Sequence, residues 1–280
     1  MRVFMTGGTG YIGGAVAIAL RNAGHDVASL ARPESEAKFL RDAGVALVSG
    51  DLASLPSLRE QIAEYDTFVH TAQARDNKAA ADKGVIDVVT SLGKHLILTT
   101  GVWILGNTKG ADESSPVNPL DLVTWRVAIE ESALASGGAV LRPGCVYGGK
   151  QSLFASWFAT AEQQQPISIA GDGENRWAMV DLQELADAYV RAVERRATGV
   201  LHAIDDTRAT LNDCAYAISP EVAIEHTPLA DARAKLGGFA DALALDQVIA
   251  SDATRAKLGW SPQKTFVNSI ESQWHEWRSR

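Results

Sequence analysis

The chain has 280 residues, of which 46% are apolar and 21% are charged, values that are usual for a globular protein. This length allows one large α/β domain, or one domain with a smaller lobe attached. The formal net charge of −8 argues against non-specific binding to nucleic acid or to an anionic membrane. Cys145 and Cys214 are the only cysteines, too few for a disulfide scaffold, and the histidines lack metal-ligand spacing, so no metal is expected.

Membrane and export segments are not expected either. No apolar run reaches the roughly 18–20 residues that are needed to span a bilayer. A strand-like run begins at Arg2, which leaves no room before it for a signal peptide. We therefore expect a cytoplasmic protein.

Strand-like and helical segments alternate through the first half of the chain. Gly24 follows the first helical segment as a stop signal, and Pro56 lies in the first turn of the third. Alternation of this kind predicts right-handed βαβ units and a Rossmann-type, doubly wound parallel sheet in an α/β fold. The predicted strands are residues 2–6, 26–31, 45–49, 67–71, 95–100 and 139–142, and the predicted helices are residues 11–23, 35–43, 54–64 and 78–92.

The pattern becomes irregular after the sixth strand, where prolines and glycines separate shorter elements. We predict a dinucleotide-binding domain over residues 1–148, with further contributions from about residues 177–205. Residues 149–280 are expected to form mostly a smaller substrate-binding lobe. The polar segment 106–119 is interpreted as a long loop, either a lid over the site or a mobile surface connection.

A glycine-rich turn joins the first strand to the first helix. Gly7, Gly10 and Gly13 fit G-x-x-G-x-x-G, and this strand–turn–helix context makes the spacing informative. Gly7 permits a tight turn, Gly10 lets a pyrophosphate approach the backbone, and Gly13 lets the helix pack closely on the strand. The helix N-terminus offers N–H groups and partial positive charge to the phosphates. The turn therefore predicts an NAD(P) site, whose other members are Thr9, Tyr11 and Ile12.

The tip of the second strand favours one cofactor over the other. NAD sites usually carry an acidic residue there, which accepts a hydrogen bond from the ribose 2′-OH. This chain has Arg32 instead, whose guanidinium can pair with the 2′-phosphate of NADP. Glu34 and Glu36 lie nearby and weaken the preference. We predict NADP, with NAD as the less favoured cofactor and a solvated Arg32 as the structural alternative.

Seven short segments, in this order, resemble motifs of the extended short-chain dehydrogenase/reductase superfamily, of the epimerase and dehydratase type. They are residues 6–13 (TGGTGYIG), 50–52 (GDL), 70–72 (HTA), 141–148 (LRPGCVYG), 171–173 (GDG), 180–182 (VDL) and 258–262 (LGWSP). The resemblance implies that Asp51 and Leu52 contact the adenine. It also implies cofactor contacts by Thr71, Ala72, Thr99, Pro143 and Val146.

The usual catalytic pair of that superfamily is missing. Its acid is the tyrosine of Y-x-x-x-K, whose pKa is lowered by the lysine. We align Trp125 with the tyrosine and Ile129 with the lysine. An indole N–H is no acid at neutral pH and isoleucine carries no charge. The chain therefore resembles an atypical subgroup.

Three interpretations of this departure stay open. In the first, another group acts, and the resemblance implies Thr99 or Thr100 at the serine or threonine position and Asp87 at an active-site asparagine. Burial would raise the pKa of Asp87, while Tyr147 is a further acid and Arg126 could replace the lysine. In the second, hydride transfer to an easy acceptor, such as an imine or an activated alkene, needs little acid catalysis. In the third, the protein binds NADP without catalysis.

The leading prediction is an NADP-dependent oxidoreductase or epimerase-like enzyme that acts on a small polar substrate. The alternative is a non-catalytic NADP-binding sensor or regulatory protein. The helical segment 119–135 offers a face through which two copies could form a homodimer. Trp103 and Trp177 either line a ligand pocket or pack in the core, and Cys145 is expected to be buried and inert.

Overall fold

The computed structural model describes residues 1–35 and 37–279. Its strands are β1 (Arg2–Thr6), β2 (Asp26–Ala31), β3 (Ala46–Ser49), β4 (Thr67–His70), β5 (His95–Thr99), β6 (Thr108–Ala111), β7 (Ala139–Pro143), β8 (Cys145–Tyr147), β9 (Ile167–Ala170), β10 (Met179–Asp181), β11 (Gly199–Ala203), β12 (Ile224–Thr227) and β13 (Gln247–Ile249). Its helices are α1 (Tyr11–Asn22), α2 (Lys38–Asp42), α3 (Arg59–Ile62), α4 (Lys78–Ser91), α5 (Arg126–Ala135), α6 (Ala155–Glu162), α7 (Leu182–Glu194), α8 (Leu211–Ile218), α9 (Leu229–Leu236), α10 (Phe239–Leu243), α11 (Asp252–Leu258) and α12 (Ile270–Arg278).

Seven strands form the central sheet, in the order β11-β7-β5-β4-β1-β2-β3. All neighbouring pairs in this sheet run parallel. The chain starts at β1, moves outward to β3, returns to β4 and then moves outward in the other direction. The predicted doubly wound parallel sheet is therefore confirmed. A ligand crevice is expected at the carboxyl ends of β1 and β4, where the strand order reverses.

Both faces of the sheet are covered, which explains the nearly continuous apolar runs in its strands. One face packs on α1 and α7, and Val3, Met5 and Leu141 are buried there. The opposite face packs on α4 and α5, and it buries Phe4 and Val140. Successive side chains of a strand thus enter different cores, as the two-residue period requires.

A third core lies in the C-terminal lobe and is rich in aromatic side chains. Phe154, Phe158, Trp177 and Phe266 are buried in it, and half-buried Trp157 packs against it. Three short parallel pairs, β8 with β10, β9 with β12 and β6 with β13, hold this part of the chain together.

Three sequence predictions of secondary structure need correction. The helix expected at 54–64 is a 3₁₀ turn, Leu55–Leu58, followed by the short α3. The segment expected to be helical from 119 begins with a 3₁₀ turn, Asp121–Val123, before α5. The loop expected at 106–119 contains β6, whose pairing with β13 binds it to the C-terminal part of the chain.

Two general properties concern residues 1–35 and 37–279. None of the helices there is both long and apolar enough to cross a bilayer. That part of the chain also contains no group of three or more His, Cys, Asp or Glu side chains arranged to hold a metal ion.

Candidate active site

The glycine turn after β1 is packed so closely that a side chain would not fit at two of its positions. Gly7 has a φ of +83°, and its carbonyl oxygen accepts a hydrogen bond from the amide of Gly10 at 2.9 Å. A Cβ added to Gly7 would lie 2.5 Å from the amide nitrogen of Ala72. A Cβ added to Gly13 would lie 2.1 Å from the Gly7 oxygen and 2.5 Å from Thr71 Oγ1. The turn therefore requires glycine, because backbone atoms fill the space.

The other side of this turn is open. A Cβ added to Gly10 would meet only the Gly7 oxygen, at 3.3 Å. Gly10 is the N-cap of α1, and no side chain caps the first-turn N–H groups of that 12-residue helix. Free N–H groups and the positive end of the helix dipole fit a pyrophosphate. Thr9 and Gly10 are exposed, and Tyr11 and Ile12 are half-buried behind them.

A cavity of about 270 Å³ lies beside the carboxyl ends of β2 and β3. Arg32 borders it as an exposed side chain, and its Nε lies 3.4 Å from Glu34 Oε1. Hydrogen bonds from Ser54 hold the pKa of Asp51 below its ordinary range, so this carboxylate is ionised at neutral pH. Leu52 packs on the core beneath. One cation and two carboxylates thus face this cavity, and Glu36 lies outside the described residues.

The remaining predicted cofactor contacts flank the crevice in different ways. Thr71 Oγ1 donates to the Thr6 carbonyl at 2.9 Å, which fixes the chain after β4 against the glycine turn. Tyr11 donates its hydroxyl proton to the Gly148 carbonyl at 2.5 Å and so ties the start of α1 to the loop after β8. Pro143 and Val146 are buried, and the Val146 side chain belongs to the main core.

Two threonines end β5 beside the crevice, and both hydroxyl groups already have partners. Thr99 Oγ1 lies 2.6 Å from the hydroxyl of the buried Tyr189. Thr100 Oγ1 donates to Glu130 Oε1 at 2.6 Å. While that bond is present, the Thr100 hydroxyl cannot also donate a proton to a substrate. Polarisation of a carbonyl by Thr100 thus requires that the bond to Glu130 break first.

Asp87 lies on the surface of α4, so the burial that would let it act as the acid is absent. Its side chain is 58% exposed on the outer face of α4 and pairs with Lys83 Nζ at 2.7 Å. The buried acid of this helix is Asp82, which is 3% exposed. Its Oδ1 lies within hydrogen-bond distance of His70 Nε2, at 3.1 Å. His70 Nδ1 in turn lies 2.5 Å from Thr6 Oγ1.

Tyr147 cannot act as the catalytic acid either. Its side chain is completely buried, and its hydroxyl donates to Asp205 Oδ2 at 2.8 Å. Burial raises the pKa of Tyr147, and the Asp205 carboxylate raises it further. Phe266 packs edge-on against its ring at a centroid distance of 5.4 Å. A group enclosed in this way supports the lobe core and cannot reach a substrate.

Arg126, by contrast, lies at the carboxyl end of β5. Its Nη1 donates to the Thr99 carbonyl at 3.4 Å, and its guanidinium carbon lies 4.8 Å from the centre of the Trp125 ring. Burial lowers the pKa of Arg126, while the carboxylates of Asp82 and Glu130 oppose this shift. An arginine in this setting stays protonated at neutral pH.

The two residues aligned with the missing catalytic pair have different surroundings from those that a catalytic pair needs. Ile129, which we aligned with the lysine, is 5% exposed and packs in the core under the sheet, so its side chain does not face the crevice. Arg126, three residues earlier, lies at the carboxyl end of β5. Residues 120–135 contain no tyrosine and no lysine, so this segment cannot supply the usual pair.

A buried ion pair fixes α5 to the sheet behind these residues, and no motif or spacing in the chain indicates it. Arg142 Nε donates to both carboxylate oxygens of Glu130 at 3.1 Å. His202 Nε2 lies 3.4 Å from Arg142 Nη1, and burial lowers the pKa of His202, so this imidazole is neutral beside the guanidinium. Glu130 is therefore fully paired and is not a free base.

Two tryptophans singled out in the sequence have different positions. Trp103 follows β5 on a 3₁₀ turn, and its ring packs against Phe239 at 5.9 Å. Trp177 lines a cavity of about 220 Å³ in the C-terminal lobe. Cys145 is buried beside Trp103, as expected, and burial raises its pKa to about 12, which disfavours the reactive thiolate.

Fold and site together define an NAD(P)-binding protein of the oxidoreductase and epimerase class. The model of the NAD dependent epimerase/dehydratase family matches residues 3–96. A 3-diazoavenalumate denitrifying reductase from a Streptomyces species is 30% identical, over 94% of this chain and 96% of its own length. The chain belongs to the NAD-dependent epimerase/dehydratase family.

Two further comparisons extend this result. An NAD(P)H azoreductase from Xenophilus azovorans is 26% identical, over 69% of this chain and 63% of its own. The crystal structure of UDP-glucuronic acid 4-epimerase from Bacillus cereus, in complex with UDP-glucuronic acid and NAD, superposes with a TM-score of 0.80. That match covers 99% of this chain and 98% of the other at 15% identity, so it shows the shared fold.

Proposed function

We propose that this protein is an NADPH-dependent reductase that adds hydride to a polarised double bond, with Arg126 stabilising the negative charge that develops. One observation carries the proposal. Of Thr100, Asp87, Tyr147 and Arg126, only Arg126 lies beside the end of β5 with N–H donors that are not already used. Within residues 1–35 and 37–279 its guanidinium makes one hydrogen bond, to the Thr99 carbonyl at 3.4 Å, so its other N–H donors have no acceptor there.

The chemistry follows from this donor. When bound, a reduced nicotinamide would supply hydride to the electrophilic atom of a C=O, C=N or N=N group. The other atom of that double bond gains negative charge, and the Arg126 guanidinium can hydrogen bond to it. Water then delivers the proton, because arginine does not release one in this pH range. Preorganised positive charge of this kind typically contributes about 10²–10³-fold in rate.

Reduction is favoured over epimerisation or dehydration by the absence of a free base. Both of those reactions begin with oxidation of an alcohol, which requires removal of its O–H proton. Among residues 1–35 and 37–279, the carboxylates nearest the end of β5 already have partners: Asp82 is paired with His70, and Glu130 with Arg142. The names of two relatives, a denitrifying reductase and an azoreductase, support the same direction of hydride flow.

The preference for NADPH rests on Arg32. Its exposed guanidinium borders the cavity at the ends of β2 and β3, where a 2′-phosphate would form charge-assisted hydrogen bonds with it. Glu34 competes for the same guanidinium and limits the preference.

The test is the rate of NADPH oxidation with a panel of aromatic aldehydes, quinones and azo compounds. We expect Arg126→Met to lower kcat/KM by roughly 100-fold and Arg126→Lys to recover part of that loss. Arg41→Ala, which removes an exposed arginine on α2, is the matched control and should leave the rate unchanged. Turnover by Arg126→Met at the rate of the unmodified protein would contradict the role of Arg126. Tight NADPH binding with no turnover in the whole panel would favour the non-catalytic alternative.

A further inference from the structure

The cavity in the C-terminal lobe has an unusual lining for a protein whose fold also serves nucleotide sugars. Eight of its ten lining residues have apolar side chains, three of which are aromatic, and the other two are serines at the exposed edge, while backbone polar atoms also face the cavity. The lining residues are Leu153, Ser156, Trp157, Ser168, Ile169, Ala170, Trp177, Leu211, Phe239 and Leu243. Within residues 1–35 and 37–279, no Lys, Arg, His, Asp or Glu lines it.

Two segments of the chain lead from the crevice to this cavity. The first is the turn that carries Trp103, three residues after Thr100, whose ring contacts Phe239 edge-on at 5.9 Å. The second is the segment after β8. The Gly148 carbonyl accepts a hydrogen bond from Tyr11 at the start of α1, and Leu153 lines the cavity five residues later. Segments that border the crevice thus also contribute to the wall of the cavity or contact it.

We propose that this cavity holds the substrate of the reductase, and that the substrate is an uncharged molecule with a flat aromatic ring. This inference rests on the proposed function, since it names the substrate class for the same site. The indoles of Trp157 and Trp177 lie 6.5 Å apart at 35°, and the Phe239 side chain is half-buried on the same cavity. Aromatic walls of this kind favour a flat ring through burial of its surface and through offset or edge-on contacts.

The same lining disfavours a nucleoside diphosphate sugar. A diphosphate needs cationic side chains or free N–H groups, and its desolvation against apolar walls is not compensated. This lining therefore does not favour the small polar substrate that the sequence predicts. Ser156 and Ser168 lie on the exposed edge and can accommodate one polar substituent of the ring.

Calorimetric titration tests the proposal without turnover, using oxidised NADP, 2-naphthaldehyde as the aromatic probe and UDP-glucose as the charged competitor. We expect 2-naphthaldehyde to bind and UDP-glucose not to displace it. Trp157→Ala should weaken binding of the aldehyde by about tenfold, and Trp157→Phe by no more than about threefold, because phenylalanine keeps an aromatic face. Trp277→Ala is the control, since Trp277 is another half-buried indole of the lobe that does not line the cavity.

Phe239→Ala is the second variant and should also weaken binding by roughly tenfold, which keeps the test valid if Trp157→Ala does not fold. Displacement of the aldehyde by UDP-glucose, or unchanged affinity in the folded variants, would overturn the proposal. Binding that depends on Trp157 but is followed by no reduction with NADPH would overturn the reductase function and leave the cavity assignment in place. Reduction of the aldehyde with a KM that neither Trp157→Ala nor Phe239→Ala changes would overturn the cavity assignment and leave the reductase function in place.

Discussion

At the scale of single residues, the two cationic side chains Arg32 and Arg126 have different roles in the crevice. Arg126 contacts the backbone at the end of β5, where substrate chemistry is expected. Arg32 stands on the other half of the sheet, after β2, and shares its cavity with the carboxylates of Glu34 and Asp51. The two guanidinium groups thus have separable effects, one on turnover and one on the choice of cofactor.

Replacement of Arg32 should change cofactor choice alone. We expect Arg32→Ala to weaken NADPH binding by roughly tenfold or more and to leave NADH binding nearly unchanged, because only NADPH carries the 2′-phosphate. Glu34→Gln should strengthen NADPH binding by freeing the guanidinium. Fluorescence titration of both cofactors measures this, with Arg41→Ala as the control. Equal affinity of the unmodified protein for NADH and NADPH would refute the NADP preference.

Asp205 gives the fold a dependence on pH. Burial raises its pKa to about 6, against about 3.9 for an unfolded chain. The folded state thus binds the proton more tightly, so this group's contribution to stability is full below about pH 4 and is lost as the pH rises through 6.

We expect Asp205→Asn, which stays neutral at every pH, to gain about 2 kcal/mol in unfolding free energy relative to the unmodified protein between pH 4.5 and pH 7. Urea unfolding at the two pH values measures this difference. Asp206→Asn, at an exposed neighbouring position, is the control. A difference between Asp205→Asn and the unmodified protein that does not vary with pH would show that folding does not raise the pKa of Asp205.

At the scale of elements, the packing of α1 on the glycine turn depends on one missing side chain. Gly13→Ala would push a Cβ to within 2.1 Å of the Gly7 oxygen, so the turn or the helix must move. We expect loss of cofactor affinity by at least roughly 100-fold together with a lower melting temperature. Gly84→Ala is the matched control, because a Cβ there meets nothing within 4 Å. It should stabilise α4 by about 0.5–1 kcal/mol. Normal NADPH binding by folded Gly13→Ala would contradict this account of the turn.

The orientation of α5 makes a second prediction at this scale. Because Ile129 faces the core, Ile129→Lys buries an ammonium group and should cost at least about 3 kcal/mol in unfolding free energy. Ile129→Val, which removes one methyl group, should cost about 0.5–1.5 kcal/mol. Chemical denaturation of both variants measures the difference. A fully stable Ile129→Lys would indicate that residue 129 faces the crevice, as the sequence alignment assumed.

At the scale of the whole molecule, the features that could be predicted from the sequence are those that depend on local patterns of residues. The alternation of strands and helices indicated the parallel sheet, and the glycine spacing indicated the turn before α1. The Asp82 position was also open to prediction, since Asp82, Val85, Ile86 and Val89 share one stripe of α4 and all four are buried. Asp87 lies off that stripe, so the helical period alone indicates that it is not buried with these residues.

Contacts between distant parts of the chain could not be predicted in this way. The Glu130–Arg142 pair joins a helix to a strand, and Tyr147 meets Asp205 across 58 residues. The aromatic cavity draws its walls from α6, β9, α8 and α10, together with Trp177 before β10. No spacing along the sequence reports such a grouping, because it exists only after the sheet and the lobe have packed together.

Isotope transfer tests the central claim, hydride delivery to a neutral aromatic acceptor, most directly. Both C4-deuterated forms of NADPH are incubated with 2-naphthaldehyde, whose reduced carbon keeps a transferred deuterium because a C–D bond does not exchange with water, and the product is analysed by mass spectrometry. We predict that one of the two deuterated forms places its deuterium in the reduced product, and that Arg126→Met lowers the rate of that transfer by roughly 100-fold. Absence of deuterium from the alcohol product, with NADPH bound to the protein, would contradict the account.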